Sequence, residues 1–140
     1  MGTEIDFYRK VGELIKACQC IEHDIKLIYA GMIAGSFDDN WEKLKNKTLG
    51  QAVLELQELD NSDGQPYFSK SDYDLLKEIT QKRNYWVHQG FIDYVYDRSK
   101  FNNQYQRLKI DNDQLVNLME TTEKIRLDYF GYDENGEKYE

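Results

Sequence analysis

A chain of 140 residues and 16.7 kDa suits one domain that can bury a core without disulfide or metal staples, and no second domain is expected. Hydrophobic residues at 40%, aromatics at 14% and eleven tyrosines exclude a disordered chain, whereas 31% charged residues and a mean hydropathy of -0.80 exclude a membrane-embedded one. A formal net charge of -8 disfavours non-specific association with polyanions. No apolar run approaches the ~20 residues of a membrane helix, and Met1-Gly2-Thr3-Glu4-Ile5-Asp6 lacks the basic and apolar regions of a signal peptide, so the cytoplasm is the expected location.

A first helix is predicted over residues 5–34, where Val11, Leu14, Ile15, Cys18, Ile21, Ile25, Ile28, Tyr29 and Met32 recur at three- and four-residue steps. Gly31 and Gly35 mark its end. On that helix Cys18 and Cys20 point about 200° apart and cannot bond to each other, and no further ligands nearby make a zinc site. Trp41 and Leu44 suggest a lead-in turn to a second helix over residues 49–59, which Thr48 can cap and which Leu49, Val53, Leu56 and Leu59 stripe with apolar side chains. Asp60-Asn61-Ser62-Asp63-Gly64-Gln65-Pro66 reads as a loop. Ser71 with Asp74 resembles a capping box that launches a third helix through Leu75, Leu76, Ile79, Trp86 and Val87. Beyond Gly90 the pattern blurs through residues 91–96, which fit either a helical continuation, the favoured expectation, or a short extended segment. A last helix follows over residues 111–130 with Leu115, Leu118, Ile125 and Leu127 inside. The whole reads as all-α, an up-down bundle of four to five helices over residues 1–130, with residues 131–140 an acidic, flexible tail.

Within the third helix, Arg83-Asn84-Tyr85-Trp86-Val87-His88 breaks the pattern. At about 100° per residue, Arg83 falls inside the arc of Leu76, Ile79, Trp86 and Val87, while Asn84 and His88 form a polar strip beside it with Gln81. A guanidinium cannot lose its proton to escape burial and needs a partner. The same wheel on the first helix sets Glu22 among Ile15, Cys18 and Tyr29, so an internal Glu22–Arg83 ion pair is expected. That pair can be a brace between helices, or a support that positions Arg83 for an anion. His23, the only other histidine, lies off the apolar face and reads as a surface residue.

Arg83, Asn84 and His88 resemble the R-x4-H form of the R-x(4-6)-H signature of HEPN domains, polar second residue included. Lys82-Arg83-Asn84-Tyr85-Trp86-Val87-His88-Gln89-Gly90-Phe91 is also similar to that family's third-helix region. The resemblance implies a HEPN-like bundle and a metal-independent endoribonuclease, needing no cofactor, of the kind found as toxins or defence components, with two motifs meeting at a homodimer cleft. His88 would then be the acid or base, suited by an unperturbed histidine pKa of about 6.5. Arg83 would bind the negative charge gathering on the phosphate oxygens, and Asn84, one turn before His88, would orient its imidazole or touch the phosphate. Arg83 and His88 stand about 140° apart on an ideal helix, so two copies across a two-fold axis complete a site more readily than one. The expected partners are a second copy, an RNA substrate and, by the resemblance, an antitoxin protein.

Residues 70–109 hold eight Lys and Arg against five Asp and Glu, an excess of +3 that leaves -11 to the remainder. In that segment Lys82 and Tyr85 are candidate RNA contacts, and Tyr94, Tyr96 and Tyr105 could also stack on bases, although packing explains each tyrosine as well. One branch of the family carries a modifiable tyrosine two residues after the histidine; here that position is Gly90, so control by that modification is not implied. The competing expectation is a non-catalytic HEPN-like module that binds a nucleotide or a protein, with Arg83 structural or anion-binding only.

Overall fold

The computed structural model describes residues 3–132, and the acidic segment 133–140 lies outside them. Six α-helices and one short 3-10 turn make up the described chain, with no strand among these residues. They are α1 (Glu4–Met32), α2 (Phe37–Leu44), α3 (Leu49–Asn61), α4 (Lys70–His88), α5 (Ile92–Val95), a turn at Arg98–Lys100, and α6 (Phe101–Tyr129). Four are long and two are short, where four to five were expected. No helix among the described residues is long and apolar enough to cross a membrane.

The longest two helices carry the bundle. Glu4 meets Arg98, Glu13 meets Asn112 and Asp24 meets Thr122, so α1 and α6 run parallel along their length. Lys82 reaches Asp111 while Tyr85 reaches Gln104, so α4 runs antiparallel to α6 beside them. Phe7, fully buried, sits at the hub of one end: its ring lies 4.9–6.3 Å from those of Trp86, Phe91, Tyr94, Phe101 and Tyr105, edge-on or tilted as aromatic quadrupoles prefer. This aromatic end supports the C-terminal half of α4.

Several boundaries differ from those read in sequence. The α4 box is Ser69 with Asp72, not Ser71 with Asp74: Ser69 Oγ accepts from the Asp72 N–H at 3.1 Å, and the Asp72 carboxylate accepts from the Ser69 N–H at 3.3 Å. Phe68 decides the register, because it is buried directly before the cap and packs on Tyr73 across the first turn, a hydrophobic staple that the Ser71 register would lack. Trp41 and Leu44 belong to a full helix, capped by Ser36, instead of a lead-in turn. The α4 helix does not continue past Gly90. Gly90 packs so close to Trp86 that an added Cβ would stand 2.4 Å from the indole, and the chain turns there into α5. The last helix begins at Phe101, ten residues before the expected start, because Phe101, Tyr105 and Leu108 face the core along with Gln104 and Asn112, two buried amides that obscured the stripe.

Candidate functional site

At its C-terminal end the buried arc of α4 centres on Trp86, which is fully buried and donates from Nε1 to Asp111 Oδ2 at 2.9 Å. That rotation leaves Val87 46% exposed, contrary to the expected core position, and brings Arg83 to the edge of the core instead of its middle. Asn84 and His88 are exposed, as the polar strip predicts, and so is His23, which meets Trp41 edge-on.

The expected contact between α1 and α4 is present. Arg83 Nη1 stands 3.6 Å from Glu22 Oε2, with side chains 31% and 27% exposed, so the pair is half-buried and open to water on one side. Glu22 is not Arg83's alone. Lys26, one turn along α1 and almost fully buried, places Nζ 3.1 Å from Glu22 Oε1 and donates to the Lys45 carbonyl at 3.2 Å. One carboxylate therefore faces two basic side chains, an excess of one positive group over negative ones in the cluster. Cys18 lies beneath it; burial first pushes its thiol up to about 11, with Arg83 opposing and Glu22 adding to the shift.

The weaker RNA-contact candidates are already engaged. Lys82 donates to Asp111 at 2.9 Å and to Gln114 at 3.2 Å. Tyr85 is half-buried: its hydroxyl donates to Asp93 and accepts from Gln104 Nε2 at 2.8 Å, while the Arg107 guanidinium lies 3.8 Å above its ring. Burial first, then the Asp93 carboxylate, raises the Tyr85 pKa, which keeps the phenol protonated as a donor. Tyr94 and Tyr105 are buried and do not present rings for stacking; Tyr96, 84% exposed, does.

Three positions escaped the sequence reading. Lys26 was within reach of it, since the i,i+4 relation to Glu22 puts both on one face. Asp111 holds both Lys82 and Trp86 and so fixes α4 against α6, and its signal was weak: an indole N–H that is buried requires an acceptor somewhere. Arg107 shows no sequence signal beyond its charge. Gly90 has a structural explanation. A side chain at this position would drive into the Trp86 ring, so the tyrosine of the modified HEPN branch has no room here without repacking.

Arg83, Asn84 and His88 line neither of two concavities along α6, the first facing α4 and the second facing α5. One, of about 300 Å3, is bounded by Gln81, Lys82, Tyr85 and Arg107; the other, of about 560 Å3, by Asp93, Tyr96, Lys100 and Arg107. Asn84 and His88 stand exposed on α4 and Arg83 is part-buried, outside both of these concavities. Among the described residues no three His, Cys, Asp or Glu side chains gather to hold a metal ion. The chain matches no protein-family model, no curated protein and no solved structure.

Proposed function

We propose that this chain is a HEPN-like, metal-independent endoribonuclease that acts as a homodimer, with Arg83 as the phosphate-binding cation and His88 as the proton-transfer group. The observation that carries this reading is the charge excess at Arg83. A guanidinium matched one-to-one by a carboxylate has little to gain from a phosphate, whereas here Lys26 already takes a share of Glu22, and donors on Arg83 remain for an anion. Glu22 is then a positioning residue, holding Arg83 on the rim without neutralising the site.

In the reaction, the 2′-hydroxyl loses its proton and its oxygen bonds to phosphorus as the bond to the 5′-oxygen breaks. The 5′-oxygen gains a proton, leaving a 2′,3′-cyclic phosphate and a 5′-hydroxyl. One His88 takes the first proton and a second His88, from the other copy, supplies the last, which keeps protons balanced without a metal. The exposure of Asn84 and His88 supports a shared site: a second copy of the helix would make a cleft with the first, and Val87 exposes apolar surface directly beside His88 for it to cover. A role as a toxin or phage-defence component, held in check by an antitoxin protein, follows from the resemblance alone.

The Glu22–Arg83 contact favours a second reading, a non-catalytic module in which Arg83 braces α4 or binds a nucleotide or protein partner. One experiment separates the two. The protein and its His88→Ala variant are incubated with mixed RNA in EDTA, and the ends are assayed for 2′,3′-cyclic phosphate while light scattering reports the oligomeric state. Cyclic ends lost in the variant, from a protein that is dimeric at micromolar concentration, are expected. Intact RNA with both proteins, or a monomer, removes the nuclease reading.

A further inference from the structure

We infer that Arg107, on α6, binds a phosphate of single-stranded RNA and guides the strand along the α4–α6 face toward His88. This deepens, and rests on, the nuclease reading above. Four observations carry it. First, the guanidinium carbon of Arg107 lies over Tyr85, 3.8 Å from the ring centre, and 5.9 Å from the centre of the Trp86 ring. Stacking fixes the plane of a guanidinium while leaving its edge N–H groups directed outward, the geometry that meets two phosphate oxygens at once. Second, Arg107 is exposed and makes no ion pair within 4 Å among the described residues. Third, it lines two concavities, one between α4 and α6 and one between α5 and α6, and so stands where they adjoin.

Fourth, most of the other charges along this face are already answered. Asp111 is matched by Lys82, Asp93 by the Tyr85 hydroxyl and Gln89 Nε2, and Asp97 by the Ser99 N–H and hydroxyl. These hydrogen bonds hold the Asp93 and Asp97 carboxyls below the usual range, so both stay anionic but turned to internal donors. Among the described residues Arg107 and Lys100 make no ion pair within 4 Å, although both act on the Asp93 carboxyl at longer range, and Glu78, at the far end, is the one acid of these two concavities without a partner. The path leads to the motif. Gln81, on the wall of the smaller concavity, lies within about 20° of His88 around the α4 axis, and Gln89 follows His88 directly. The exposed ring of Tyr96 stands at the other end, where an unpaired base could stack on it.

The test uses a labelled single-stranded 2′-O-methyl RNA, which lacks the attacking hydroxyl, so binding is read apart from cleavage. Affinity is measured by fluorescence anisotropy across a salt series for the wild type, Arg107→Gln and Arg107→Lys, with thermal unfolding as a check on folding. Arg107→Gln should weaken binding about fivefold and lower the slope of log affinity against log salt by about 0.7, the value of one lost phosphate contact on a single strand. Arg107→Lys should keep the slope and lose part of the affinity. Equal binding by the wild type and Arg107→Gln overturns the assignment, and the nuclease reading survives if His88→Ala still abolishes cyclic ends. Binding lost in Arg107→Gln without any cleavage of ordinary RNA by the wild type supports the Arg107 site and removes the nuclease. A wild type that does not bind the RNA overturns both.

Discussion

Two polar clusters, both tying α4 to an earlier helix, are built on opposite principles. At the start of α4, Asp60 is almost fully buried and accepts from the Tyr67 N–H at 2.9 Å, the Phe68 N–H at 3.2 Å and the Tyr73 hydroxyl at 2.5 Å. Every donor there is answered, and burial followed by the Asp60 carboxylate holds the Tyr73 phenol well above its usual range. Further along α4, Glu22 is approached by Lys26 and Arg83, is half-buried, and leaves one positive charge over. A dry cluster whose hydrogen bonds are all balanced fixes a loop; a cation-rich one at the surface, on the proposed reading, keeps donors for an anion.

Removing the balanced cluster should cost the most. Asp60→Ala leaves two backbone N–H groups and a buried hydroxyl without an acceptor, so unfolding should become easier by about 3 kcal/mol, with the melting midpoint falling by roughly 10 °C. If the nuclease reading holds, RNA cleavage per folded molecule should stay at the wild-type level. A variant that melts normally would mean the loop at 62–69 finds other acceptors and the cluster is not the brace described here. The unbalanced cluster should respond the other way. Lys26→Met keeps the buried stem and leaves Glu22 to Arg83 alone, so the arginine becomes matched and less available to phosphate. On the nuclease reading, cleavage should drop about tenfold in kcat/KM, equivalent to roughly 1.4 kcal/mol of transition-state binding, while stability falls by less than that because Glu22 is part-exposed and keeps Arg83 as its partner. A large loss of stability with cleavage intact would make Glu22, Lys26 and Arg83 a brace after all.

What the sequence showed of these regions followed from how local each signal is. Thr48 capping α3, the apolar stripe of α1 and the polar edge of Asn84 and His88 are set by neighbours three or four residues away, and these agree with the structure. The Glu22–Arg83 contact was also legible, because a cation near an apolar arc demands an acid and only a few positions offer one. The Ser69 cap was misplaced because two Ser-x-x-Asp registers overlap there, and a staple between Phe68 and Tyr73 selects one. The start of α6 was hidden by Gln104 and Asn112, amides buried for the sake of Tyr85, Gly90 and Glu13, all far away in sequence. Arg107 on Tyr85 is likewise a contact between two helices 22 residues apart, which no helical period reveals.

A third cluster tests whether balance or burial decides the outcome, since it is balanced yet wet. Glu4, in the first turn of α1, receives both Arg98 guanidinium nitrogens at 2.9 and 3.0 Å and the hydroxyls of Tyr8 and Tyr94 at 3.1 Å each. Arg98 above all, then the two hydroxyls, bring the Glu4 carboxyl down to about 2 from 4.5, with desolvation opposing. A depressed carboxyl pKa means that the folded state gains from the charged form. That stabilisation is fully present above pH 4.5 and is lost as the pH falls through about 2. Glu4→Gln removes the charge, so the wild type should be slightly the more stable at pH 6 and the two melting midpoints should converge between pH 4.5 and 2. Because the cluster is exposed, the gap should be the smallest of the three effects and should shrink further in high salt, unlike that of Asp60→Ala. A gap that stays constant from pH 6 to pH 2 would show that Glu4 acts by packing and not by charge. In that case balance in an exposed pair contributes nothing, and the contrast between Asp60 and Glu22 would rest on burial alone.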